Sequence, residues 1–299
     1  MMDYRMLGDS DLKISRIGFG TMSLEPDNHS AIHLLHQALD KGINYFDTAD
    51  MYQKGLNEAL LGKAFKGKRD QLILGTKVGN IWRPDGSGWD WKPSKKYILS
   101  EIENSLQRLQ TDYIDLYQLH GGTLDDPIDE IIEAFEWLKM QGKIRYYGLS
   151  SIRPNVIREY VKKSSIVSVM MQYSLLDRRP EEEMLPFLQD HAIGVLARGT
   201  VAKGLLISKP PEPYLNYSSE QIGSASLKVK ETSDQKRGPA STAIQIVLEN
   251  KIIHAAIVGI RNKKHLEDAL QSLESPIISS EELEMLKQSI PVNYYSEFR

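Results

Sequence analysis

Along most of the chain, short apolar runs alternate with longer segments in which apolar residues recur every three or four positions. The first run is Ile17-Gly18-Phe19-Gly20-Thr21-Met22. Ile32, Leu35, Ala38 and Leu39 then form a helical stripe within Ala31 to Lys41, and it stops before Gly42. From there the pattern predicts strands over 45–47, 72–77, 113–119, 144–150, 167–172, 194–197 and 255–259. Helices are predicted near 57–65, 95–108, 128–141, 154–163, 181–191, 240–250 and 263–272. Eight strand–helix units in alternation favour a closed parallel β/α barrel over an open doubly wound sheet. Tyr4-Arg5-Met6-Leu7 and Leu12-Lys13-Ile14 flank the turn-rich Gly8-Asp9-Ser10-Asp11, as the arms of an N-terminal β-hairpin do. A ninth amphipathic segment, Ser280 to Ser289, predicts an extra C-terminal helix outside the barrel. Barrels of about 250 residues commonly form one domain, so a single domain is expected over 1–299.

Two stretches are too long for simple connections. Asn80 to Pro93 holds Trp82, Trp89 and Trp91 among Gly, Pro and Asp; Ile207 to Gly238 is rich in Pro, Ser, Glu and Lys. Loops beyond about 12–15 residues are usually functional or disordered. The first follows a predicted strand directly and is expected to wall a substrate pocket. For the second, the polar composition favours disorder as much as function.

Composition narrows the classes. With 41% hydrophobic and 26% charged residues and a net charge of -3, the chain is ordinary for a globular protein. It has no basic footprint for nucleic acid or an anionic membrane. No stretch approaches the roughly 18 apolar residues of a membrane span, and Met1-Met2-Asp3-Tyr4-Arg5 lacks a signal-peptide core, so a cytoplasmic protein is expected. The absence of cysteine excludes disulfides and thiolate chemistry and removes the commonest zinc ligand; no metal is expected.

Against this background a few lone polar residues stand out. Asp47 ends the run Tyr45-Phe46-Asp47, and Tyr52 follows five residues later. Lys77 closes Leu72-Ile73-Leu74-Gly75-Thr76-Lys77, and His120 closes Tyr113 to Leu119. Ionisable groups at the C-terminal ends of successive strands are how a parallel barrel assembles an active site on one face. A tyrosine, with a reference pKa of about 10, needs a nearby cation to serve as a proton donor near neutrality. Lys77 supplies one, and a partly buried ammonium in turn needs the counter-charge of Asp47. His120 completes a site suited to protonating an oxygen that is becoming an alkoxide. That is carbonyl reduction, and since none of these groups delivers a hydride, it requires a nicotinamide cofactor.

Asp47-Thr48-Ala49 with Tyr52, then Thr76-Lys77, then Leu119-His120, resembles the aldo-keto reductase family over nearly the whole chain. The resemblance implies a TIM barrel whose bottom is plugged by the N-terminal hairpin, and NADPH as cofactor. It implies that Ser150, with Ser151 in place of the family's asparagine, and Gln172 contact the nicotinamide carboxamide. Arg198 replaces the family's stacking aromatic, and a guanidinium can also lie flat on a ring. Gly199 and Val201 are expected along the pyrophosphate. Gly259 and Arg261 precede a helix start near Lys263, a natural phosphate site, and Arg261 resembles the arginine that meets the 2′-phosphate of NADP. His265 and Ala269 depart from the family pattern near the adenine. The expected substrate is a small aldehyde or ketone, and the three tryptophans suggest an apolar or aromatic one; the oligomeric state is undetermined. An NADPH-binding regulatory protein with little catalysis is the alternative within the family. A barrel isomerase or lyase acting on a sugar phosphate is the alternative outside it.

Overall fold

The computed structural model describes residues 2–25 and 29–299. An antiparallel hairpin, β1 (Tyr4–Met6) and β2 (Lys13–Ser15), opens the chain, with Tyr4 opposite Ser15. Then come β3 (Ile17–Gly20), α1 (His29–Asp40), β4 (Tyr45–Asp47), α2 (Leu56–Ala64), β5 (Ile73–Val78), β6 (Asn80–Trp82) and β7 (Trp89–Trp91). These are followed by α3 (Lys95–Leu109), β8 (Ile114–Leu119), α4 (Ile128–Met140), β9 (Ile144–Ser150), α5 (Pro154–Lys163), β10 (Ser168–Gln172) and α6 (Met184–Asp190). The chain ends with β11 (Gly194–Arg198), α7 (Ser219–Thr232), α8 (Pro239–Leu248), β12 (Ile253–Gly259), α9 (Lys263–Glu274) and α10 (Ser280–Gln288).

Strands β3, β4, β5, β8, β9, β10, β11 and β12 close into a barrel of parallel neighbours, β12 returning to pair with β3. This is the (β/α)8 TIM barrel the alternating pattern predicts. Each strand is buried on both faces, which is why the strands read as continuous apolar runs rather than alternating ones. The outer faces pack on the helices: Phe46, Leu74, Tyr117 and Tyr147 belong to one core with Leu35, Ile102 and Phe135. The inner faces meet the hairpin instead. Leu7, Leu12 and Ile14, fully buried, share a cluster with Tyr45, Leu116, Met170 and Leu196 inside the barrel. The N-terminal end is thereby filled, and the C-terminal end is where a ligand can enter.

Tyr45 fills the centre and dictates two glycines. A Cβ on Gly75 would lie 2.2 Å from its hydroxyl, and one on Gly18 would lie 2.9 Å from its ring. The ring is fully buried in the same strand as Asp47, two residues before it.

Three expectations need correction. Asn80 to Pro93 is a second antiparallel hairpin, β6 with β7, in which Trp82 stands opposite Trp89. Ile207 to Gly238 contains α7, started by a capping box in which Ser218 and Gln221 exchange side-chain bonds with each other's backbone N–H. The helix expected over 181–191 starts only at Met184, because a 3-10 turn at Arg179–Glu181 precedes it, with Pro180 inside that turn.

Candidate active site

Backbone hydrogen bonds carry the barrel ladder past the strand ends and so fix the residues there. Thr48 N–H donates to Gly75 O at 2.8 Å, Asp50 N–H to Lys77 O at 3.1 Å and His120 N–H to Val78 O at 2.8 Å. These bonds bring the ends of β4, β5 and β8 into register. Lys77 Nζ then lies 2.6 Å from Asp47 Oδ2 and 2.7 Å from Thr48 O. The pair is almost fully buried, Lys77 being 1% exposed and Asp47 4%. Burial works against the lysine's charge, but the carboxylate outweighs it, and the Tyr52 hydroxyl adds to it, so the ammonium is held above its usual range. At Asp47 burial pushes towards the neutral acid, and Lys77 opposes it.

The free side of the ammonium faces Tyr52, whose ring centroid is 5.1 Å from Nζ. His120 meets the same ring edge-on, with centroids 5.9 Å apart at 80°. Its Nδ1 is buried without a partner among the described residues. Burial, then the positive charges of Lys77 and Arg198, push the imidazole's pKa down to about 3. The imidazole is therefore neutral at physiological pH. The four residues singled out in the sequence come together in one cluster: a buried ion pair, a phenol over the ammonium and a neutral imidazole beside the phenol.

The supporting groups around them are absent from the sequence reading. Gln118 Nε2 and Tyr45 Oη each approach Asp47 Oδ1 at 3.5 Å from below. Asn57, fully buried, accepts from Thr48 Oγ1 at 2.7 Å and donates to Thr21 O at 2.9 Å. Glu58, also fully buried, accepts from Thr76 Oγ1 at 2.5 Å and pairs with Arg108 at 2.7 Å. Two adjacent polar residues on α2 thus hold the chain on either side of the Lys77–Asp47 pair. Nothing in the sequence marks them: Asn57-Glu58 opens the helix predicted near 57–65, where polar residues are ordinary.

The candidate cofactor residues lie along the same open end. Ser150 and Ser151 are buried at the end of β9, and Ser151 N–H bonds Met170 O at 3.0 Å. Gln172 and Arg198 end the paired strands β10 and β11, and the guanidinium donates to Gln172 Oε1 at 3.1 Å. Gln172 Nε2 donates to Asp177 Oδ2 and Tyr214 Oη, both at 2.8 Å. Gly199 has φ +72° and borders the Gln172 side chain, and Val201 leads into a 3-10 turn. Gly259 is exposed at the end of β12, where an added Cβ would come within 3.9 Å of Ser23 Oγ. Arg261 is exposed and makes no ion pair among the described residues. Asn262 caps α9 by accepting from His265 N–H at 2.9 Å, which places His265 in the first turn. Ala269 is buried on α9 in the core between the strands and the helices. His36, His191 and His254, given no role from sequence, bond to backbone carbonyls of Ala64, Phe187 and Ile252.

A plugged parallel barrel with a buried Lys–Asp pair under a tyrosine and a histidine at its open end describes a class of reductase. The model of the aldo/keto reductase family matches residues 16–291, and the chain belongs to that family. It is accordingly an oxidoreductase whose general chemistry is carbonyl reduction with a nicotinamide cofactor. Among known proteins it is 47% identical to the uncharacterized oxidoreductase YqkF of Bacillus subtilis, over 100% of both chains. The aldo-keto reductase AKR11C1 from Bacillus halodurans, in its holo form, superposes with a TM-score of 0.93 at 48% identity, covering 100% of both chains. An NADH-specific methylglyoxal reductase of Escherichia coli is 33% identical over 70% of each chain.

Proposed function

We propose that the protein reduces aldehydes or ketones to alcohols with NADPH, Tyr52 giving the proton. The observation that carries the reading is the convergence of Lys77, Asp47, Tyr52 and His120 at one end of the barrel, with the ammonium 5.1 Å from the phenol ring. When bound, the cofactor supplies the hydride. The chain's own residues do the rest. Tyr52 donates its hydroxyl proton to the carbonyl oxygen as that oxygen gains charge, and the Lys77 ammonium stabilises the phenolate left behind. Asp47 keeps the ammonium charged and aimed. His120, neutral with Nδ1 enclosed, offers Nε2 to the carbonyl oxygen and orients it without competing as an acid.

The donor set along β9 to β12 suits a nicotinamide dinucleotide. Ser150, Ser151 and Gln172 offer amide-sized hydrogen-bonding partners, and Arg198 lies beside them as the group to meet the ring face. Gly199, lacking a side chain, presents its backbone N–H to the pyrophosphate with Val201 beside it, and Gly259 does the same at the end of β12. Arg261 and the N-terminus of α9, with His265 in its first turn, offer a guanidinium and backbone N–H groups to a 2′-phosphate. That free guanidinium favours NADPH over NADH, a preference that belongs to these residues and varies within the family.

Titration with NADPH and NADH, followed by tryptophan fluorescence, tests the reading together with turnover of a panel of aldehydes and ketones. NADPH is expected to bind more tightly, and Arg261→Ala to weaken NADPH by about tenfold or more while leaving NADH unchanged. Equal affinity for the two cofactors in the native protein would remove Arg261 from this role, and cofactor binding without turnover of any carbonyl would remove the catalytic reading.

A further inference from the structure

Between Asp47 and Tyr52 the catalytic loop carries a second buried carboxyl, Asp50, which the mechanism does not use. It is 6% exposed and no lysine or arginine pairs with it among the described residues. Its Oδ1 is buried without a hydrogen-bond partner. Its Oδ2 lies 3.0 Å from Tyr97 Oη, and the same hydroxyl lies 3.2 Å from Asn80 O. A phenol has one hydrogen, and here it faces two acceptors. If Asp50 were a carboxylate, one of those two contacts would be oxygen against oxygen with no proton between, and Oδ1 would be a bare buried anionic oxygen. A proton on Oδ2 resolves both: Asp50 donates to Tyr97, Tyr97 donates to Asn80 O, and Oδ1 becomes a neutral carbonyl oxygen.

The charges facing Asp50 agree. From α2 comes Glu58 and from α3 Glu101, and the two carboxylates share the single guanidinium of Arg108, which leaves a net negative charge turned towards Asp50. From β5, the Lys77 ammonium is spent on Asp47. From β8 comes only the buried Tyr117 hydroxyl, itself without a partner. Burial, then Glu58 and Glu101, hold the Asp50 carboxyl well above the usual range, against smaller opposition from the Tyr97 hydroxyl and the Met51 N–H.

We propose that Asp50 is held as the neutral acid and is a positioning residue, tying the loop that carries Tyr52 through Tyr97 to the start of the tryptophan hairpin at Asn80. A second tether runs in parallel, Trp82 Nε1 donating to Met51 O at 2.9 Å. The protonation rests on the hydrogen bonds, burial and charges around Asp50, whereas the effect on turnover rests on Tyr52 being the proton donor, so the two are read by different measurements. The sign of the linkage is fixed. An acid whose folded pKa is raised holds its proton while the unfolded chain has lost it, so it costs stability increasingly as pH rises from the unfolded value of about 3.9.

The isosteric Asp50→Asn variant tests this. Its Tm is expected to exceed that of the native protein at pH 8, with the gap closing as pH falls towards 4. The native-minus-variant infrared spectrum at neutral pH is expected to show the C=O band of a protonated carboxyl. With NADPH and an aldehyde, Asp50→Ala should lower kcat by about ten- to a hundredfold, the usual cost of loosening a positioned group, and Asn should recover most of that loss. A carboxylate band, or a Tm below the native value at every pH, overturns the protonation. A kcat for Asn as low as that for Ala overturns the positioning role, and native kcat in both variants does the same.

Discussion

At the scale of single residues, the Lys77–Asp47 pair shows how stability and chemistry can be separated. Removing one partner of a buried pair leaves the other uncompensated and costs about 3–5 kcal/mol, whereas replacing both by apolar groups is often neutral. Lys77→Met is therefore expected to lower thermal stability and abolish turnover. Lys77→Met with Asp47→Leu is expected to recover the stability and none of the activity, as read by calorimetry and NADPH oxidation. If the double variant regained turnover, the pair would be structural only. His120 gives a pH prediction. Its folded pKa is about 3 against an unfolded 6.5, so the unfolded chain binds more protons between those values. The stability it contributes is complete above pH 6.5 and is lost as pH falls towards 3, while kcat/KM should show no inflection from an imidazole between pH 5 and 8. A titration near 6.5 that disappears in His120→Gln would contradict a neutral imidazole. These residues were legible in the sequence because each stands alone as a polar group at the end of an apolar strand. Asp50, Asn57 and Gln118 were not, since a polar residue inside a loop, a short helix or a strand carries no pattern until its burial is known.

At the scale of elements, the two long connections were the places where periodicity misled. The β6–β7 hairpin had its signal, the Asp85-Gly86 turn between Trp82 and Trp89, but strands of three residues are too short for alternation to show. Helix α7 had a readable start in Ser218 and Gln221. Its buried face is Ile222, Ala225, Ser226 and Val229, small and partly polar, so the stripe is faint. The hairpin is anchored by Trp91, whose Nε1 donates to the Asp126 carboxylate at 2.9 Å and whose ring lies 2.6 Å from where a Cβ on Gly79 would be. Gly79 also has φ +133°, strained for any other residue. Gly79→Ala is expected to displace Trp91 and the hairpin, raising KM for the carbonyl while leaving NADPH affinity as it was. A change in NADPH affinity with KM unchanged would show that the hairpin serves the cofactor rather than the substrate.

At the scale of the whole molecule, the barrel was the most legible feature, because the same strand–helix signal recurs eight times and one doubtful unit is outvoted by the rest. The tail was not legible. Residues 290–299 have no period, yet they are tied to the segments that follow β9 and β10, Asn293 Oδ1 accepting from Arg178 N–H at 2.9 Å and Phe298 O from Asn155 N–H at 2.8 Å. Among the described residues no helix is long and apolar enough to cross a membrane. With one end of the barrel filled by Leu7, Leu12 and Ile14, the chemistry is confined to the other, and the central claim is that Tyr52 delivers the proton there. Single-turnover reduction of an aldehyde by enzyme-bound NADPH, compared between the native protein and Tyr52→Phe with NADPH Kd measured alongside, tests it most directly. The expected result is an unchanged Kd and a rate lower by about 10²–10⁴-fold, the weight of general acid catalysis. An unchanged rate at an unchanged Kd would contradict the account.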